Sequence, residues 1–167
     1  LIPWFNPGEG AFRVIPGDYV TTEDGTGIVH IAPTFGADDA KVARAAGVPG
    51  LQVVDRNGDL QAQVDLRGRF FCVEDLDPEY AAANMSPDYA EWAGRYVKNA
   101  YDSSLDADAP TLDVDICVML KQQNKAFRIE KHTHNYPHCW RTDKPVLYYP
   151  LNSWFIRTTA VRERMME

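Results

Sequence analysis

Leu51-Gln52-Val53-Val54-Asp55-Arg56-Asn57-Gly58-Asp59-Leu60-Gln61-Ala62-Gln63-Val64 is the stretch whose reading decides the fold class. Two apolar-bearing runs, 51–54 and 60–64, flank the polar turn Arg56-Asn57-Gly58-Asp59. Asn-Gly is a strong hairpin signal, because the tight turn needs residues that tolerate positive φ. An antiparallel hairpin is expected here.

Upstream, Asp38-Asp39-Ala40-Lys41-Val42-Ala43-Arg44-Ala45-Ala46 has alanine-rich helix propensity, acidic residues in its first turn and Gly47 just past its end. Before it, Ile28-Val29-His30-Ile31 reads as an apolar strand that Pro33 ends by removing a ladder donor. Glu23-Asp24-Gly25-Thr26-Gly27 is a tight polar turn. Phe12-Arg13-Val14-Ile15 and Tyr19-Val20-Thr21-Thr22 lie on either side of Pro16-Gly17-Asp18 and read as a further hairpin.

Downstream, residues 69–73 read as a short strand. Ser86-Pro87-Asp88 supplies an N-cap and a proline at the first helical position, opening a helix expected to reach about Lys98. Residues 102–108 form an acidic surface loop, 114–120 and 126–131 read as strands joined by polar 121–125, and 158–167 reads as an amphipathic helix. Short strands in hairpins outnumber helices, and no internal repeat is visible. The pattern predicts an α+β fold, with a mainly antiparallel, barrel-like sheet and two or three helices, over a doubly wound one.

The 167 residues are 45% hydrophobic and 25% charged, the makeup of one ordinary globular domain. No apolar run approaches the roughly 18 residues that cross a bilayer, and Leu1-Ile2-Pro3-Trp4-Phe5-Asn6 has no cationic region before an apolar stretch. No membrane partner is expected. Cys72, Cys117 and Cys139 are odd in number and far apart, which points to a reducing compartment, the cytoplasm. A formal charge of −7 excludes nucleic-acid binding by bulk electrostatics, so any such contact must be local. Leu at position 1, and a last helix without a terminator, suggest an excised fragment.

Gly25-Thr26-Gly27 alone is a weak signal. A glycine-rich phosphate loop leads from a strand into a helix, whereas this one leads into a strand, which argues against a nucleotide-phosphate site. The residues after it are more telling: a strand bearing His30, a proline stop, the small loop Thr34-Phe35-Gly36-Ala37, and two aspartates at a helix start. Such a layout can place an imidazole, loop backbone and a carboxylate around one concave site. The plain alternatives are a strand histidine for His30 and helix capping for Asp38 and Asp39, of which one can cap while the other faces a ligand.

Gly25-Thr26-Gly27-Ile28-Val29-His30-Ile31-Ala32-Pro33-Thr34-Phe35-Gly36-Ala37-Asp38-Asp39 resembles the signature of the editing insertion in the aminoacyl-tRNA synthetases for isoleucine, valine and leucine. His30 with Phe35-Gly36 resembles the isoleucine version, since valine and leucine enzymes generally carry another residue at the histidine. A second likeness lies in His134-Asn135-Tyr136-Pro137-His138-Cys139-Trp140-Arg141-Thr142-Asp143-Lys144-Pro145-Val146 and in Ser153-Trp154-Phe155-Ile156, similar to the stretch where that insertion rejoins the catalytic domain.

This resemblance implies an incomplete class I editing-domain fold, with residues 1–140 as its C-terminal portion and 141–167 as the return connection, ending in a truncated helix. It implies hydrolysis of valine wrongly esterified to tRNA(Ile), the parent enzyme joining isoleucine to that tRNA. Asp39 would bind the substrate α-ammonium and His30 would shape the pocket against isoleucine. Gly25, Thr26, Gly27, Phe35, Gly36 and Asp38 would complete the substrate-binding set. The implied partners are the 3′ end of tRNA(Ile) carrying valine and the rest of the synthetase. ATP and Mg belong to the parent's catalytic domain, with no cofactor expected in this segment.

The sequence departs from that family in one respect. The threonine-rich strand and loop facing the terminal adenosine have no match in residues 1–24, Thr21-Thr22 included, so efficient deacylation by this segment alone is not expected. His132, His134, His138 and Cys139 resemble a zinc-binding return stretch, but Cys139-Trp140-Arg141-Thr142 lacks the second cysteine and no metal site is expected. Lys121, Lys125, Arg128, Lys131, Arg141 and Lys144 form a local basic excess, read as a solvated edge. The rival reading is a non-catalytic tRNA-binding or structural module of a valine or leucine synthetase.

Overall fold

The computed structural model describes residues 4–23, 26–106, 108–131, 133 and 135–166. The predicted hairpin is present: β1 (Val53–Val54) pairs antiparallel with β2 (Leu60–Gln61), in the register Val53 to Gln61 and Val54 to Leu60. Its turn is closed by Asp55, whose carboxylate accepts the N–H groups of Asn57 at 2.9 Å and Asp59 at 3.0 Å and the Gln61 side-chain amide at 2.9 Å. Such Asx bonding pre-forms the turn that Gly58, at φ +82°, completes.

Helix α1 (Ala37–Ala45) falls where predicted. Its end is a Schellman motif, with Val48 N–H on Ala43 C=O at 2.8 Å, Gly47 N–H on Arg44 C=O at 3.2 Å, and Gly47 in the left-handed region. Helix α2 (Pro78–Asn84) is not among the expected elements, yet Asp77 caps it by accepting the Tyr80 N–H at 2.7 Å and Pro78 stands at its first position. The helix expected from Ser86 to Lys98 is instead a 3-10 helix, Pro87–Glu91, capped by Ser86. The chain leaves it at Gly94, whose φ of +77° no ordinary helix continues through.

Residues 114–120 are not a strand but lie within helix α3 (Leu112–Gln122). Leu112 is buried, and Ile116 and Met119 pack on the same core, a spacing of four and three that lines one helical face. Asn124, at φ +55°, ends α3 as the left-handed residue of a second Schellman motif, Lys125 N–H reaching Leu120 C=O at 2.8 Å. At the C-terminus the expected helix is reduced to a 3-10 helix, Thr158–Ala160, and the short helix α4 (Arg162–Met166).

The fold is α+β, but the barrel-like sheet is not found among the described residues. The sheet has two strands, and around it stand isolated bridges: Phe5 with Met85, Asp55 with Leu76, Val64 with Phe70 and Arg69 with Tyr96. Residues 12–15, 19–22, 28–31 and 126–131 form no strands. Phe12 holds φ +56°, and Val14 is 96% and Phe127 fully exposed, so these apolar runs have no facing strand to bury them.

The core is aromatic and lies between the 3-10 helix, α2, α3 and the hairpin. Trp4 stacks on Trp92 at 5.3 Å and meets the edge of Phe70 at 5.4 Å, and Phe5 meets Tyr89 at 4.5 Å. Tyr89 is fully buried and donates its hydroxyl to the Phe71 carbonyl at 2.6 Å. Arg95 pairs with Asp115, tying the segment after the 3-10 helix to α3. Among the described residues no helix is long and apolar enough to cross a membrane.

Candidate functional site

Residues 32–39 form a braced loop against the start of α1. Pro33 takes the first inner position of a turn closed by Phe35 N–H on Ala32 C=O at 2.9 Å, a place its fixed φ suits. The Thr34 hydroxyl donates to the Leu51 carbonyl at 2.7 Å, fastening the turn to the approach of the hairpin. Gly36 is the extended N-cap residue of α1, and its lack of a side chain leaves the cap unfilled.

Asp39 instead ties the preceding loop to α1. Standing three residues into the helix, its Oδ2 turns back over Gly36 and accepts the Ala32 N–H at 2.9 Å. A Cβ on Gly36 would lie 2.7 Å from that oxygen, so the close approach explains the glycine. The half-buried carboxylate also sits in the first turn of α1. Asp38, one residue earlier, is exposed. The pair thus divides, with Asp39 bracing the loop and Asp38 facing solvent.

The other predicted site residues are less tightly assembled. Gly25 lies outside the described residues. The Thr26 hydroxyl bonds the Ile28 backbone at 3.3 Å, and Gly27 adopts φ +74° with the Thr22 methyl close by. His30 is exposed, and no hydrogen bond or ion pair joins it to Asp39. Phe35 is half-buried and meets the ring of Tyr149 edge-on at 6.5 Å. Tyr149, Thr34 and the Ala32 amide are absent from the sequence-derived set. The Pro33-Thr34 turn carried a signal for Thr34, whereas nothing local marks Tyr149.

His132 and His134 lie outside the described residues, and among the described residues no three His, Cys, Asp or Glu side chains cluster as metal ligands would. Cys139 sits in a tight turn between His138 and Pro145. A hydrogen bond from the Thr142 hydroxyl and the N–H groups of Arg141 and Thr142 draws its thiol below the ordinary value. Burial, in contrast, pushes the Cys72 thiol up.

This braced loop can hold one carboxylate at a fixed place beside an open backbone turn, an arrangement suited to a small cationic group. No family model matches the chain. Curated relatives do, across its whole length. It is 67% identical to an isoleucine–tRNA ligase of Bacteroides fragilis over 168 residues and 67% identical to that of Porphyromonas gingivalis over 167 residues, covering 100% and 99% of the chain. The likeness extends to the ligase of Thermoplasma volcanium, 38% identical over 167 residues. The chain spans about 15% of the length of the first two relatives and 13% of the third. Matched from end to end by one segment of these enzymes, the chain belongs to the isoleucine–tRNA ligase family.

Proposed function

We propose that this segment forms part of the editing region of an isoleucine–tRNA ligase and contributes the amino-group and side-chain half of a pocket that hydrolyses valine wrongly esterified to tRNA(Ile). In this reading residues 1–140 are the C-terminal portion of the editing domain and 141–167 the return to the catalytic domain. The enzyme acts in the cytoplasm. ATP and Mg serve only the parent's ligation reaction.

The need for such a pocket follows from energetics. One missing methylene is worth only about 1–3 kcal/mol of discrimination, a limit for which isoleucine enzymes facing valine are themselves the standard example. A second pocket that admits valine and excludes isoleucine removes what the first cannot reject.

The observation that carries the reading is the placement of Asp39. Its carboxylate is fixed by the Ala32 N–H and by the start of α1, so an arriving α-ammonium meets a charge already in position. His30, exposed upstream, limits side-chain size, and the Phe35-Gly36 turn forms a wall where the glycine lets backbone approach closely. Gly25, Thr26, Gly27 and Asp38 complete the substrate-binding set. The attacking water is positioned by protein and substrate together, with no covalent nucleophile.

A second reading has one observation in its favour. The Ala32 bond gives Asp39 a purely structural task, as it would have in a non-catalytic module. Hydrolysis of valyl-tRNA(Ile) by the full-length enzyme decides between them. Asp39→Ala is expected to lose about 10- to 100-fold in kcat/KM, the worth of one charge-assisted hydrogen bond, with isoleucylation retained. Undiminished deacylation removes Asp39 from the pocket.

A further inference from the structure

Tyr149 reaches the 32–39 loop from far downstream and touches it at one side chain. Its ring meets Phe35 edge-on, with centroids 6.5 Å apart and planes at 67°. Its hydroxyl donates to the Val64 carbonyl at 2.7 Å. Val64 is buried and bridges Phe70, whose ring packs on Trp4 in the core. A continuous path of contacts therefore runs from the rigid aromatic core through Tyr149 to Phe35.

The same ring lines an open cavity of about 270 Å³ with Gln61, Asp65, Leu66, Arg67 and Phe71. Burial and the neighbouring Asp65 carboxylate both push the phenol upward, so it stays a donor to Val64 across the physiological range. The loop backbone has its own ties, Phe35 N–H to Ala32 and Thr34 to Leu51. Those fix the main chain but not the Phe35 ring.

We propose that Tyr149 is a positioning residue of the editing pocket: by holding the Phe35 ring it sets how large a side chain the pocket admits. This rests on the editing function proposed for the segment. Aromatic pairs favour an edge-on approach, so a residue without a ring cannot hold Phe35 at the same place. Losing the contact frees the wall to move outward and lets the larger isoleucine side chain in.

The test uses full-length enzyme and compares kcat/KM for hydrolysis of isoleucyl-tRNA(Ile) and valyl-tRNA(Ile). Tyr149→Leu is expected to raise the isoleucyl-to-valyl ratio about three- to tenfold, the scale of one aromatic edge contact, and Tyr149→Phe, which keeps the ring but loses the bond to Val64, to raise it by less. Phe35→Leu should raise the ratio as well, and the double variant should be no worse than the worse single one, because both act through one contact. An unchanged ratio in Tyr149→Leu, or effects that multiply in the double variant, would overturn the proposal. So would equal losses of deacylation and isoleucylation, which mark a general folding role. Failure of the editing function shows separately, as absence of valyl-tRNA(Ile) hydrolysis by the wild-type full-length enzyme, and takes the proposal with it.

Discussion

The Asp39 carboxylate lies directly over Gly36, so that a Cβ at position 36 would come within 2.7 Å of Oδ2. The φ of Gly36 is −134°, a value any residue adopts, so the glycine is there for space and not for conformational freedom. Gly36→Ala must therefore push the carboxylate off the Ala32 N–H. We predict a stability loss of about 1–2 kcal/mol, from the broken bond and the crowding, together with weakened hydrolysis of valyl-tRNA(Ile). Thermal unfolding and deacylation by the full-length enzyme check both effects. Wild-type behaviour in both would show that the loop yields freely.

Asn124 ends α3 in the left-handed region, at φ +55°. A Cβ-bearing residue without a short polar side chain pays about 1 kcal/mol to stay there, whereas glycine does not. Asn124→Ala should lower the thermal stability of this region by about 1 kcal/mol, and Asn124→Gly should match wild type or exceed it. Equal stabilities for the two variants would mean that α3 ends elsewhere in solution.

Asp55 closes the hairpin turn, and its carboxyl lies below the ordinary value of 3.8. Burial opposes ionisation, but the bonds from Gln61, Asp59 and Asn57 outweigh it. Since the folded value is the lower one, the charged form stabilises the turn fully above pH 3.8, and that stabilisation is lost as the pH falls through the folded value. Hydrogen-exchange protection of the Asn57 and Asp59 amides should therefore hold down to about pH 4 and fade only below it. Loss of protection near neutral pH would contradict this role for Asp55.

Much of the local structure was legible because its signals are local. Asn57-Gly58 marks the hairpin, and the acidic start, alanine-rich body and Gly47 terminator mark α1. Asp77-Pro78 carries the same cap-then-proline signal as Ser86-Pro87, so α2 was readable by the same rule. Residues 114–120 read as a strand because apolar residues crowd together there. Only the spacing of Leu112, Ile116 and Met119 betrays the helix, and that spacing matters because the core lies on one side. The barrel-like sheet failed for a tertiary reason. Strands at 12–15, 28–31 and 126–131 need facing partners, and the described residues offer none.

The site divides in the same way. The run of residues 25–39 is visible as a string, and the family it resembles is the one the relatives carry. That Asp39 braces Ala32 while Asp38 faces solvent depends on how the Pro33 turn folds back on α1, which spacing alone does not fix. The meeting of Phe35 with Tyr149 spans most of the chain and has no local signal at all.

Asp39→Asn in the full-length enzyme separates charge from bracing most directly, because an asparagine oxygen still accepts the Ala32 N–H while the negative charge is gone. Valyl-tRNA(Ile) hydrolysis is predicted to fall about 10- to 100-fold, with thermal stability within about 1 kcal/mol of wild type. Wild-type hydrolysis by Asp39→Asn would contradict a role for the Asp39 charge in holding the substrate ammonium.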